Sequence, residues 1–108
     1  MAIKRVWRGW TTPENAARYQ SVLLGEVIPG IEAKAIPGFL GIEVLREDRA
    51  EDSEFSTVMT FRSLRDVKAF QGEDYARCYV PDAARAVLDK WDETSRHYTV
   101  VETLTYDR

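Results

Sequence analysis

The stretch of residues 36–46 constrains the fold more than any other part of the chain. It opens with Pro37-Gly38, a pair that ends helices and makes turns, and continues into a run typical of a β-strand. If its side chains alternate regularly, apolar residues fall on both faces, with Phe39 and Leu45 on one and Leu40, Ile42 and Val44 on the other. A sheet covered on one face alternates apolar with polar residues, so this pattern predicts a second cover. In a chain of 108 residues, a second copy of the chain is the simplest cover.

The other elements follow from periodicity and from capping residues. We predict strands at about residues 3–10, 38–46, 54–61 and 96–105. We predict one long, kinked helix at about residues 13–34, a helix from Ser63 to Gly72, and a helix opened by Pro81 whose core face carries Ala84, Val87, Leu88 and Trp91. This order predicts a single α+β domain over residues 1–108. Its expected topology is ferredoxin-like βαββαβ, with a four-stranded antiparallel sheet and helices on one face.

Composition excludes several classes of function. The net charge of -3, from 15 basic and 18 acidic residues, gives no electrostatic signal for nucleic acid or an anionic membrane. The same order of elements occurs in RNA-recognition modules, but the predicted third strand has no Lys or Arg before Arg62. No run is apolar enough to span a bilayer, and the N-terminus has no signal-peptide pattern. A single cysteine, Cys78, excludes an internal disulfide, so we expect a cytoplasmic protein.

Few side chains in the sequence offer catalytic chemistry. One His and one Cys leave no ligand set for zinc or iron, so no metal is expected. His97 is the only histidine, and it is either a general base or a hydrogen-bonded residue at the start of a strand. Arg5 and Arg8 either hold an anionic substrate or extend their charged heads into solvent. Cys78 has no histidine near it in sequence, which favours a structural thiol.

Aromatic residues supply the candidate walls of a binding pocket. Trp7 lies in the first predicted strand and either lines a pocket or belongs to the core. Phe61, Tyr75 and Tyr79 together would form the mouth of an aromatic pocket.

The sequence resembles the antibiotic biosynthesis monooxygenase-like proteins of the dimeric α+β barrel superfamily. The resemblance covers nearly the whole chain and depends on residues 7–9, 13–19, 36–41, 61–70 and 96–98. Its most specific part is the Pro-Gly-Phe-x-Gly turn at residues 37–41, followed by the passage from the third strand into its helix. The resemblance implies a homodimer whose two sheets pack into a barrel, with a pocket between sheet and helices in each subunit.

The resemblance also implies a range of activities. Characterised members include oxygenases of aromatic polyketides that use no metal or flavin, and haem-degrading enzymes. Where the best-known members carry a Trp at the end of the third strand, this chain has Phe61. Where the polyketide oxygenases carry an Asn four residues earlier, it has Thr57. The haem-degrading members carry an iron-ligating His after the following helix, and residues 74–79 here contain none.

The sequence therefore predicts a cofactor-independent monooxygenase-like enzyme that acts on a small aromatic or enolisable substrate. The expected base is His97, the expected stacking walls are Trp7 and Phe61, and Thr57 and Tyr79 are the expected hydrogen-bonding groups. No metal, flavin or other cofactor is expected, and the partners are a second copy of the chain and a small molecule. The alternatives are a non-catalytic dimeric protein that binds a small molecule or has a stress-related role, and an isomerase or lyase that does not use oxygen.

Overall fold

The computed structural model describes residues 1–107 and contains one five-stranded antiparallel sheet. The strands are β1 (Ile3–Thr11), β2 (Phe39–Asp48), β3 (Ser53–Phe61), β4 (Lys90–Trp91) and β5 (Arg96–Thr99). The helices are α1 (Ala16–Val22), α2 (Ile28–Glu32), α3 (Leu64–Gln71) and α4 (Asp82–Arg85). The sheet order is β2-β3-β1, and both β4 and β5 pair with β1 on its other side. The predicted α+β, ferredoxin-like fold is therefore confirmed, with the fourth strand split into two short pieces.

The centre of the sheet is the β1–β3 pair, which defines the face that the helices cover. Burial alternates strictly along β3, because every second side chain points toward the helices. The buried members of this face are Ser53, Phe55, Thr57, Met59 and Phe61. Antiparallel pairing places Arg5 opposite Met59 and Trp7 opposite Thr57, so both β1 side chains share that face.

The predicted long helix is confirmed, and its irregularity has a local cause. A 3-10 turn at Pro13–Asn15 leads into α1, and a π-helical turn at Leu23–Val27 joins α1 to α2 without a break. Pro29 follows this turn and has no N–H to donate to the preceding turn. The wider turn accommodates a proline inside a helix, which is one of the recognised causes of helix distortion.

The predicted two-faced apolar pattern of β2 is wrong, because the strand contains a β-bulge. Phe39 pairs with Phe61 while Gly41 pairs with Thr60, so Leu40 is an extra residue and is 56% exposed. The bulge shifts the alternation by one residue. Phe39, Ile42 and Val44 consequently all pack against the core on the helix side. Leu45 is left on the open face beside Glu43, which makes this face of β2 more polar than the sequence pattern indicated.

The passage from β3 into α3 follows the sequence prediction. Ser63 is the N-cap of α3 and accepts a hydrogen bond from the Asp66 backbone N–H, and Gly72 ends the helix with φ of 100°. The Asp66 carboxylate lies directly against Gly38, where an added Cβ would come within 2.0 Å of Asp66 Cγ. The Pro37-Gly38 turn therefore needs glycine because the first turn of α3 packs on its backbone.

The C-terminal third differs from the prediction in two places. The helix opened by Pro81 is only the four-residue α4, and Trp91 lies in β4 instead of on the helix. The chain leaves the helix because the Asp89 N–H bonds to the Trp10 carbonyl oxygen at 2.7 Å, which joins it to the end of β1.

The last strand is also shorter than predicted. β5 stops at Thr99, opposite Ile3, and the Val100 N–H bonds to the Ala2 carbonyl oxygen at 2.9 Å. Because β1 begins there, residues 101–105 reach beyond the end of their partner strand. Within residues 1–107, their strand-like sequence therefore has no strand beside it.

Candidate functional site

A cavity lies between the helix-covered face of the sheet, the long helical segment and the loop that precedes α4. It has a volume of about 560 Å³, counted with the open space at its mouth. The lining is mostly apolar, with contributions from β1, β3, both halves of the helical segment, the end of α3 and the loop at residues 78–81. The lining residues are Arg5, Trp7, Tyr19, Leu23, Val27, Ile31, Thr57, Met59, Phe70, Gln71, Cys78, Tyr79, Val80, Pro81, Ala84 and Ser95.

Two of the aromatic lining residues are held in fixed positions. The indole N–H of Trp7 donates to the Asp92 carbonyl oxygen at 2.6 Å. Tyr19 is 1% exposed and packs edge-to-face on Phe55, with ring centroids 4.9 Å apart. Burial raises the pKa of the Tyr19 phenol far above its ordinary value, so this hydroxyl stays protonated at physiological pH. Of the two rings, only that of Trp7 is partly exposed, so its indole is the fixed ring surface available to a planar ligand.

Arg5 is the one charged side chain in the lining, and it is only 5% exposed. Its Nη1 donates to the Tyr75 carbonyl oxygen and lies 2.9 Å from His97 Nε2, while its Nη2 donates to the Arg77 carbonyl oxygen at 3.1 Å. The guanidinium also lies over the Phe70 ring, 5.7 Å from its centroid. Strand β1 positions the Arg5 side chain, and the loop at residues 75–77 supplies the two backbone carbonyl oxygens that accept its hydrogen bonds.

His97 lies beside Arg5 but is not among the residues that line the cavity. Since a guanidinium only donates hydrogen bonds, the contact requires His97 to accept at Nε2, which assigns the proton of the neutral ring to Nδ1. The ring packs edge-to-face on Tyr75, with centroids 5.1 Å apart. Burial, and secondly the Arg5 charge, lower the His97 pKa below its ordinary value, which keeps the ring neutral at physiological pH.

Cys78 and Ser95 add a small polar patch to the cavity wall. Cys78 Sγ and Ser95 Oγ are 2.9 Å apart, and Ser95 is 6% exposed. Burial raises the pKa of the Cys78 thiol, against smaller opposing effects of the Ser95 hydrogen bond and Arg5. The sulfur is therefore a neutral thiol at physiological pH, which agrees with the structural reading of this cysteine.

The structure brings three of the five sequence-predicted site residues to one cavity. Trp7 and Thr57 lie next to each other across the β1–β3 ladder, and Tyr79 lies at the mouth with 78% of its surface exposed. Phe61 is fully buried and packs in the core cluster with Met59 and Val67. His97 contacts the cavity wall only through Arg5.

Sequence reasoning did not single out the remaining walls. The helical spacing of Leu23, Val27 and Ile31 indicates only an apolar face, and a core helix gives the same pattern. Arg5 was noticed in the sequence as a possible anion-binding residue, but a solvent-exposed role was equally open for it.

Neither metal nor membrane features are found in the described chain. Within residues 1–107, no three His, Cys, Asp or Glu side chains come together as a group that could hold a metal ion. None of the helices in this part of the chain has both the length and the apolar character needed to cross a membrane.

Comparison with solved structures places this fold among the antibiotic biosynthesis monooxygenase-type proteins. A proposed antibiotic biosynthesis monooxygenase from Bacillus cereus is 15% identical, with a TM-score of 0.68 over 97% of this chain and 98% of the other. SnoaB from Streptomyces nogalater, a cofactor-independent oxygenase, is 21% identical with a TM-score of 0.56 over 97% and 98%. The ActVA-Orf6 monooxygenase of Streptomyces coelicolor, solved with nanaomycin D, is 14% identical with a TM-score of 0.59 over 98% and 92%.

At these levels of identity, the likeness establishes a shared fold over nearly the whole chain and confirms the resemblance seen in the sequence at that level. No family model matches the sequence, and no curated protein matches it.

Proposed function

We propose that this chain, which shares its fold with cofactor-independent oxygenases, is a monooxygenase-like enzyme acting on a small aromatic or enolisable substrate. The observation that carries the proposal is the cavity itself. Its walls are mostly aromatic and apolar, and one buried cation, Arg5, faces it. A site of this kind favours the ionised form of a phenol or an enol.

The chemistry depends on the electron density of the substrate anion. Loss of the hydroxyl proton makes a ring carbon of a phenol electron-rich enough to combine with O₂, which forms a C–O bond and a peroxide anion. Protonation of the peroxide, loss of the C–H proton at the same carbon and cleavage of the O–O bond then give a quinone and water. A phenol and O₂ thus yield a quinone and H₂O, and the substrate supplies all four electrons that O₂ takes up.

His97 remains the proposed base, on the basis of its neutral ring at physiological pH. A base must reach the proton directly or through one water, and His97 Nε2 here accepts from Arg5. The role therefore requires substrate binding to open the Arg5–His97 contact.

Two variants separate this role from a purely positioning one. His97→Gln keeps a hydrogen-bond acceptor for Arg5 but cannot act as a base, whereas His97→Ala removes both. Loss of turnover in both variants supports His97 as the general base. Activity retained by His97→Gln would instead show that His97 only positions Arg5.

We further propose that the working unit is a cytoplasmic homodimer. Residues 101–105 are strand-like, extend past the end of β1, and include exposed Val101 and Leu104. The open face of the sheet also carries Leu45 and Tyr98, each about half exposed. A second copy would cover both, and a solution mass of twice 12.4 kDa is the expected result. A monomeric mass would contradict the dimer.

Oxygen uptake by the purified protein, screened with phenols, naphthols and quinols, tests the enzymatic proposal. We expect uptake with at least one of them, stoichiometric with quinone formation. A Trp7→Ala variant should lose this activity, while Arg8→Met, on the opposite face of β1, should retain it. Conversion of a substrate without oxygen uptake would favour an isomerase or lyase.

The second candidate is a non-catalytic small-molecule-binding protein. It is favoured by Phe61, which lies in the core and presents no ring to the cavity. Saturable binding of a phenol with neither oxygen uptake nor any product would establish this alternative.

A further inference from the structure

We infer that Arg5 is an anion-binding site, and that the ligand of this cavity is an aromatic molecule with an acidic oxygen, either a phenolic or enolic hydroxyl or a carboxyl group. The inference takes from the proposed function only that the ligand binds in this cavity. It does not depend on catalysis, because the test measures binding without turnover. Of the two roles that the sequence left open for Arg5, an anion-binding role therefore replaces a solvent-exposed one.

The hydrogen-bond count of Arg5 shows that the side chain has donors to spare. A guanidinium has five N–H donors. Tyr75, Arg77 and His97 take three of them, two at Nη1 and one at Nη2. Nε and the second N–H of Nη2 have no acceptor among residues 1–107. A pair of neighbouring donors of this kind matches a carboxylate or a single anionic oxygen.

The charge of Arg5 is also uncompensated within the described chain. All three of its partners are neutral: two backbone carbonyl groups and an imidazole whose pKa is lowered. The Cys78 thiol is the one acidic group that interacts electrostatically with it, and burial raises the pKa of that thiol. Neither His97 nor Cys78 therefore supplies the negative charge that the buried Arg5 cation requires.

A purely structural role does not explain this arrangement. Hydrogen bonds to the carbonyl groups of residues 75 and 77 would tie the loop to β1, but a neutral donor would do so without placing a charge in a nonpolar site. Arg8 shows the ordinary alternative three residues along the same strand. It is exposed and pairs with Asp92 at 2.9 Å. The two arginines therefore differ in the one property that matters for an anionic ligand, which is a free, desolvated charge.

The geometry predicts that the cavity prefers the ionised form of its ligand. An opposite charge within about 4–6 Å favours the charged form of an acid, and a low-dielectric surrounding strengthens the effect. We expect 4-nitrophenol to bind as the phenolate with at least about tenfold higher affinity than as the phenol. The phenolate has its own visible absorption band, so the ionisation state of the bound probe is read directly.

The experiment titrates 4-nitrophenol in the presence and absence of saturating protein. Bound 4-nitrophenol should ionise at a lower pH than the free compound, and Arg5→Met should abolish this effect while Arg5→Lys retains part of it. Arg8→Met is the matched control and should behave as wild type. A parallel series compares benzoate with benzamide, its neutral analogue, and an anion site at Arg5 should prefer benzoate; comparing the affinities of benzoate and 4-nitrophenolate then distinguishes a carboxylate ligand from a phenolate.

The outcomes separate the anion site from the oxygenase. If the probe ionises in the cavity of the wild-type protein as it does in water, and benzoate binds no better than benzamide, the anion site is refuted, whether or not Arg5→Met folds. If the anion preference is lost in Arg5→Met but phenols give no oxygen uptake, the anion site stands and the proposed oxygenase activity fails. If Arg5→Met takes up oxygen normally and also ionises bound 4-nitrophenol as wild type does, the oxygenase stands and the anion site is refuted.

Discussion

Thr11 occupies a buried position where a single change should stabilise the fold. It is 0% exposed, and its Oγ1 is buried without a hydrogen-bond partner among residues 1–107. A buried polar group without a partner costs about 1–3 kcal/mol. Thr11→Val keeps the shape of the side chain and removes the hydroxyl, so the free energy of unfolding should rise by about 1 kcal/mol or more. For a domain of this size, each such increment raises the melting temperature by about 4–8 °C.

Equilibrium unfolding in urea, followed by tryptophan fluorescence, measures this effect. Thr11→Ser is the matched control, because it keeps the hydroxyl and loses a methyl group, which should cost about 0.8 kcal/mol. The two variants therefore move in opposite directions from wild type. If Thr11→Val were less stable than wild type, the hydroxyl would have a partner in solution, and the account of this end of β1 would be refuted.

Three further changes test the fold and the environment of the site. Gly38→Ala should cost about 1–3 kcal/mol in urea unfolding, since the new Cβ would meet the Asp66 carboxylate, and an unchanged midpoint would refute the tight turn. Ser63→Ala should cost about 1 kcal/mol through the lost helix cap, while Ser63→Thr, which keeps the hydroxyl that also donates to the Asp66 carboxylate, should retain most of the stability; equal melting temperatures of wild type and Ser63→Ala would contradict this. The His97 pKa is lowered in the fold, so stability should decrease as pH falls below about 6.5, the value of an unperturbed histidine, and decrease less in His97→Gln. If the urea midpoints of wild type and His97→Gln changed with pH in parallel, this prediction would be refuted.

The elements with strong local signals were predicted well. Strand β3 places Phe55, Met59 and Phe61 on one face at a spacing of two or four residues, and α3 has a serine cap and a glycine end, so both were recognisable from local sequence. The long helix kept its apolar phase through Pro29, and this correctly indicated one distorted helix in place of two.

The incorrect predictions for β2, β5 and Trp91 depend on pairing between strands, which the pattern within one segment does not show. The bulge at Leu40 inserts one residue into β2, and one residue reverses the face of every side chain before it. The length of β5 is fixed by where β1 begins, a property of another segment. Trp91 joined the sheet because Asp89 pairs with the backbone at Trp10, a contact across most of the chain.

The candidate site was predictable in part. Trp7 and Thr57 could be placed because strand alternation gives both residues the same face and the ladder makes them neighbours. Arg5 could not be distinguished from a solvent-exposed arginine, since the groups that hold its head come from the loop at residues 75–77 and from His97. That loop has no regular pattern from which its path could be inferred.

The most direct test of the account is a crystal structure of the protein with 4-nitrophenol bound. The ring should lie in the cavity beside Trp7, with its oxygen at about 2.7–3.2 Å from Nε or Nη2 of Arg5. A probe bound elsewhere, or a cavity closed by its own side chains, would contradict the claim that this fold holds an acidic aromatic ligand at a buried arginine.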